Sequence, residues 1–181
     1  MTQRVKIALV GCGNIAQSHW KGLQAEAPQI EVTAIVDTHT ERAAAMAEQT
    51  GAKAYTSLEQ ALSTGDFDAV DIMLPHYLHE ETAISAFAAG KHVVLEKPMA
   101  PTIDACDRIL AAAKAAGTVF MIAEQSHYWP DTLKVQELIS SGAIGEIITA
   151  RAYFGNAAGI HTGPKPWRYE LAKSGGGICM D

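Results

Sequence analysis

The stretch that most constrains the fold lies near the start, where Val5-Lys6-Ile7-Ala8-Leu9-Val10 runs into Gly11-Cys12-Gly13-Asn14-Ile15-Ala16. A short run of β-formers stops at a glycine-rich turn, and Asn14 to Ala27 has the spacing of a half-buried helix. Such a strand, turn and helix is half of a parallel crossover unit. Gly11 permits the tight turn, Gly13 removes a side chain so that a pyrophosphate can approach the backbone, and Ala16 lets the helix pack closely on the strand. Asn14 and Ile15 open the helix, whose first-turn N–H groups and dipole face the phosphates.

A lone G-x-G-x-x-A match is weak, and its weight comes from Glu31 to Val36, a second strand ending in Asp37 about twenty residues on. An acid there accepts hydrogen bonds from ribose hydroxyls and repels a 2′-phosphate. NAD is therefore expected, with Arg42 nearby leaving room for NADP. The bland alternative, a mere tight connection with Asp37 starting a turn, explains these features less well together.

Downstream, Thr38 and Glu41 have capping-box spacing before an alanine-rich helix to Gln49. Lys53 to Tyr55 reads as a short strand, and Ser57-Leu58-Glu59-Gln60 as a second capping box. Phe67 to Leu74 is predicted as the fourth strand, Leu78 to Ala89 as a helix, His92 to Leu95 as the fifth strand, Thr102 to Ala116 as a helix and Val119 to Ala123 as the sixth strand. Alternation of this kind implies α/β architecture, a Rossmann-type doubly wound parallel sheet. The expected division is 1–123 as the dinucleotide-binding domain and 124–181 as the start of an incomplete α+β domain. Asp131 to Ser140 reads as a helix there, Glu146 to Phe154 as a strand of a different sheet, and Gly155 to Gly177 as a long loop.

The chain has 181 residues, a net charge of −6, 48% hydrophobic and 19% charged residues. A real core fits these values, whereas a nucleic-acid surface has no basic run to support it. Cys12, Cys106 and Cys179, three in number, form no C-x-x-C pair, so a reducing cytoplasm is the simplest expectation. Leu9-Val10-Gly11-Cys12 resembles a lipoprotein processing box, but the apolar run before it is too short for a secretory signal. No stretch approaches a membrane span. His76 and His79 lack a convincing third ligand, so no metal is expected.

Together the motifs resemble the glucose-fructose oxidoreductase, inositol dehydrogenase and rhizopine catabolism family, the Gfo/Idh/MocA oxidoreductases. The resemblance rests on the Gly11 to Ala16 turn, on Asp68-Ala69-Val70-Asp71-Ile72 leading to Pro75 and His79, and on Gly90-Lys91-His92-Val93-Val94-Leu95-Glu96-Lys97-Pro98. Pro130, Ser141 to Glu146, Trp167-Arg168 and Gly175-Gly176-Gly177 through Asp181 match as well. What the resemblance implies is a hydride transfer between NAD(P) and a secondary alcohol or ketone of a sugar, inositol or polyol. Lys97 would be the catalytic amine, facing the substrate oxygen beside the nicotinamide, with Glu96 orienting it and a cis peptide before Pro98. Pro75 and His76 would touch the ring and ribose, and His79 would belong to the same cofactor loop.

Substrate contacts implied by the family fall on Lys97, His127, Trp167, Arg168 and Asp181. His127 departs from the pattern, since many relatives carry an arginine there. Asp181 usually partners a catalytic histidine four residues on, which this sequence does not reach, so the chain reads as truncated within its second domain. Relatives pair through the second sheet, which implies a homo-oligomer. A non-catalytic NAD(H)-binding sensor or regulatory module is the competing expectation.

Overall fold

The computed structural model describes residues 4–153 and 166–176. Among them, strands and helices alternate as β1 (Val5–Val10), α1 (Asn14–Glu26), β2 (Ile30–Val36), α2 (Thr40–Thr50), β3 (Lys53–Tyr55) and α3 (Leu58–Thr64). The second half follows with β4 (Ala69–Ile72), α4 (His79–Ala88), β5 (His92–Glu96), α5 (Ile103–Ala116) and β6 (Phe120–Ala123). The six strands are ordered β3-β2-β1-β4-β5-β6, and each neighbouring pair is parallel. The expected doubly wound sheet is therefore present, and its strand order reverses between β1 and β4, where such sheets open a ligand crevice.

Alternation along the strands sends side chains to two cores. On one face Ala8, Val10, Val70, Ile72, Val93 and Leu95 pack with residues of α3, α4 and α5. On the other, Ile7, Leu9, Ala69 and Met73 pack with Ala16 of α1 and with Ala43 and Met46 of α2. Both faces of the central strands are covered, which is why β4 is buried at every position.

Helix boundaries follow local chemistry. Ser57 Oγ accepts from Gln60 N–H at 3.2 Å, as its capping box predicts, and Thr102 Oγ1 accepts from Ala105 N–H at 3.3 Å to start α5. Gly51 and Gly117 end α2 and α5 in the left-handed conformation. The box expected at Thr38 does not form. Instead Asp37 Oδ1 accepts from His39 N–H at 2.8 Å, and His39 becomes the residue before α2.

The chain divides into two compact units, Met1–Ala123 with Trp167–Asp181, and Glu124–Pro166. The second contains a 3-10 turn at Gln125–Tyr128 and α6 (Pro130–Ser140), with no strand among its described residues. The expectation of a strand over Glu146–Phe154 is thus corrected for residues 146–153, which lie exposed; Phe154 lies outside the described residues. An extended segment becomes a strand only by hydrogen-bonding a neighbour, and none pairs with it among the described residues. In the segment expected as a long loop, α7 (Pro166–Tyr169) and α8 (Leu171–Ser174) form, and the rest, from 155 to 165 and at 177, lies outside the described residues.

Candidate dinucleotide site and lysine corner

Because all strands run one way, the ends of β1, β2, β4 and β5 meet at one edge of the sheet. Gly11 turns the chain there with φ +97°, and a Cβ at this position would sit 2.6 Å from the Met73 carbonyl oxygen. Only glycine meets both demands. Nothing lies within 4 Å of a Cβ built on Gly13. That open space lies at the start of α1, where no side chain caps the first turn and Asn14 and Ile15 are exposed. The amides of this turn are free to meet an anion, so the residues present fit a dinucleotide pyrophosphate.

Asp37 is nearly enclosed and joins the turn to β2: its Oδ2 accepts from Cys12 N–H at 2.8 Å, while Oδ1 accepts from His39 N–H. Oδ1 also lies 3.3 Å from His39 Nδ1, whereas Oδ2 keeps a second lone pair open to a ribose hydroxyl. Burial, helped by the Asp37 charge, pushes the Cys12 thiol up to about 12, so it stays protonated beside the phosphate turn. Arg42 is exposed in the first turn of α2, and its charge is felt at Cys12.

The far wall is built by the loops after β4 and β5. His79 is fully enclosed, with Nε2 2.8 Å from the Leu74 carbonyl and Nδ1 2.9 Å from the Pro98 carbonyl. Burial holds this imidazole below its ordinary pKa despite both carbonyls, so the neutral ring has one N–H, donates it to one of the two oxygens and packs against the other. His79 is thus corrected from a cofactor contact to a brace, since a ring at 0% exposure has no surface to offer. The brace ties the Pro75 loop to the Lys97 corner, where the Lys97-Pro98 peptide is cis. Since Gly11 packs on Met73 and Leu74, the phosphate turn, the Pro75 loop and the lysine corner form one connected edge.

Pro75 precedes a 3-10 turn, His76–Leu78. His76 is buried: its Nδ1–H donates to the Ser174 carbonyl at 3.0 Å, and its ring meets Trp167 edge-on at 4.7 Å. Arg168 stacks on the Trp167 indole at 4.8 Å. Gly175 lies against Pro101, where an added Cβ would be 2.7 Å from the Pro101 Cα. Trp167 to Gly176 therefore rests on the Rossmann unit, covering His76. His127 is exposed in the 3-10 turn of the second unit, and Asp181 lies outside the described residues.

Sequence reasoning missed His19. Its Nδ1 lies 2.7 Å from Asp71 Oδ2 and its Nε2 2.8 Å from Glu96 Oε1. The second Glu96 oxygen accepts from Lys97 N–H at 3.0 Å. Glu96 thus holds the corner in place. No local pattern in the sequence announces this, because His19 occupies an ordinary helix position far from both carboxylates.

Comparison with known proteins agrees with this architecture. A model of an oxidoreductase family with an NAD-binding Rossmann fold, GFO_IDH_MocA, matches residues 5–124, and a GFO/IDH/MocA C-terminal domain model matches 132–181. The chain is 33% identical to 1,5-anhydro-D-fructose reductase of Ensifer adhaerens over 96% of this chain and 51% of that protein. Among solved structures, WlbA dehydrogenase of Bordetella pertussis, in complex with NADH and UDP-GlcNAcA, superposes with a TM-score of 0.77 at 32% identity, over 80% of this chain and 42% of that one. Aldose-aldose oxidoreductase of Caulobacter crescentus superposes with a TM-score of 0.82 at 29% identity, over 99% of this chain and 54% of that one. The chain spans about half the length of the curated relatives it matches. A glycine turn, an acid after β2 and a lysine corner after β5, joined along one sheet edge and matched by both domain models, make this chain a member of the Gfo/Idh/MocA oxidoreductase family, with an NAD-binding Rossmann domain at residues 5–124.

Proposed function

We propose that the protein is an NAD(P)-dependent dehydrogenase or reductase, transferring hydride between the nicotinamide and a secondary alcohol or ketone of a sugar, inositol or related polyol. The observation that carries this reading is the single edge on which the Gly11 turn and the Lys97 corner are linked through Met73, Leu74 and His79. Gly11, Gly13, Asn14 and Ile15 would hold the pyrophosphate, and Asp37 the ribose, which favours NAD. Arg42 would face a 2′-phosphate if NADP were taken. Pro75 and His76 would line the nicotinamide side, with His76 acting through its contact to Trp167. When bound, the nicotinamide gives or takes the hydride. The ammonium of Lys97 stabilises the substrate alkoxide and exchanges its proton. Trp167, Arg168, His127 and Asp181 would contact the substrate, with Asp181 orienting a proton carrier beyond it.

The domain division would be 1–123 for the dinucleotide and 124–181 for the start of the substrate domain, whose sheet would join copies into a homo-oligomer. A cytoplasmic, reducing setting suits the free thiols of Cys12 and Cys106; no helix among the described residues is long and apolar enough to cross a membrane. The competing reading is an NAD(H)-binding module without turnover.

Titration with NADH, followed by assay of a panel of sugars and inositols with NAD+ or NADP+ as hydride acceptor, separates the two. A dehydrogenase oxidises at least one member, and Lys97→Ala lowers kcat by about 10²- to 10⁴-fold while NADH binding persists. NADH binding with no turnover on any substrate selects the module.

A further inference from the structure

His19 is set in α1, the helix that begins at the phosphate turn, and its ring bridges two strands. Asp71 is on β4, and Glu96 is the last residue of β5. With a carboxylate oxygen within 2.8 Å of each ring nitrogen, both nitrogens must donate, and the ring is an imidazolium. Burial works against that charge, but the hydrogen bonds to Asp71 and Glu96 outweigh it and carry the pKa to about 10.

An apolar side chain would fill the same space without the cost of burying charges. Asp71 Oδ1 is moreover buried with no hydrogen-bond partner among the described residues. The cluster is therefore a poor source of stability and a good source of position. Glu96 faces two ways, accepting from His19 through Oε1 and from Lys97 N–H through Oε2. One covalent helix and two hydrogen bonds thus run from the Gly13 turn to the backbone of Lys97.

We infer that His19 is a positioning residue, clamping α1 to Glu96 and so fixing where the Lys97 backbone leaves β5 relative to the dinucleotide turn. Its importance for hydride transfer rests on the dehydrogenase reading above; the clamp itself does not.

Amide hydrogen exchange by NMR on this chain, with and without NADH, tests it in wild type, His19→Leu, His19→Lys and Asp71→Asn. In His19→Leu the Lys97 amide exchanges about tenfold faster or more, while Val93 and Leu95 within β5 keep their protection. A lysine at position 19 can donate to both carboxylates and restores the Lys97 rate to within about threefold of wild type. Asp71→Asn keeps the His19–Glu96 bond and leaves the Lys97 rate within about threefold. Should His19→Leu not fold, His19→Ala, which likewise offers no donor, carries the same expectation. Parallel loss of protection at Val93, Leu95 and Lys97 in both His19→Leu and Asp71→Asn marks a merely structural ion cluster and overturns the inference.

Turnover gives the second arm: His19→Leu lowers kcat about tenfold with the KM for NAD within about threefold. Unchanged kcat in that variant, beside a Lys97→Ala variant that has lost turnover, overturns the positioning role and leaves the dehydrogenase reading intact. Turnover retained by Lys97→Ala removes that reading instead, and the exchange rates then decide the clamp alone.

Discussion

Strand β4 and the segment from Glu146 to Tyr153 carry comparable apolar patterns and meet opposite fates. Ala69, Val70 and Ile72 are buried between two helical layers, whereas Ile148 and Tyr153 are each 94% exposed. The alternation of Ile147, Thr149, Arg151 and Tyr153 is as good a strand signal as most in the first unit. What differs is the supply of neighbours. Each Rossmann strand has its partners and its crossover helix within the same unit, while the later segment has no described strand beside it. A pattern states which face wants burial; the fold follows only when something arrives to bury it.

That contrast is open to direct attack. The largest effect belongs to the sheet centre: Leu9→Ala, at a fully buried position, costs about 2–5 kcal/mol in denaturant unfolding. A loss under about 1 kcal/mol would mean that the first unit is packed no better than the second. Next comes pH. The folded pKa of His19 is raised, from 6.5 to about 10, so its contribution is complete below pH 6.5 and is lost as pH rises through about 10. Unfolding free energy should fall by about 1.4 kcal/mol per pH unit across that window, and His19→Leu should flatten the slope below pH 9. A wild-type curve already flat from pH 7 to 9 would show a neutral ring at position 19. Smaller still is the cap: Thr102→Ala, which strips the acceptor from Ala105 N–H, costs about 1 kcal/mol. Least of all, Ile148→Ser should change stability by under about 0.5 kcal/mol; a larger loss would reveal a burial partner for the second region in solution.

Much of the site was legible because its logic is local. The Gly11 turn, Asp37 and the Lys97 corner each sit directly after a strand, and parallel topology brings strand ends together without further information. The features that escaped are those whose partners are remote. His19 depends on carboxylates 52 and 77 residues away, and nothing in the periodicity of α1 distinguishes an ion clamp from a surface histidine. His79 was legible as a motif but not as a brace, because the oxygens its ring meets are backbone carbonyls, which every residue carries. At Thr38 the capping spacing was present, yet Asp37 reached the His39 amide first, a competition between neighbours that spacing alone leaves undecided.

The resting of Trp167–Gly176 on the Rossmann unit bears on biosynthesis. His76 is sealed by a ring and a carbonyl that come after β6 in the chain. During synthesis the six strands can pair before Trp167 and Ser174 arrive, so the loop after β4 receives its cover last.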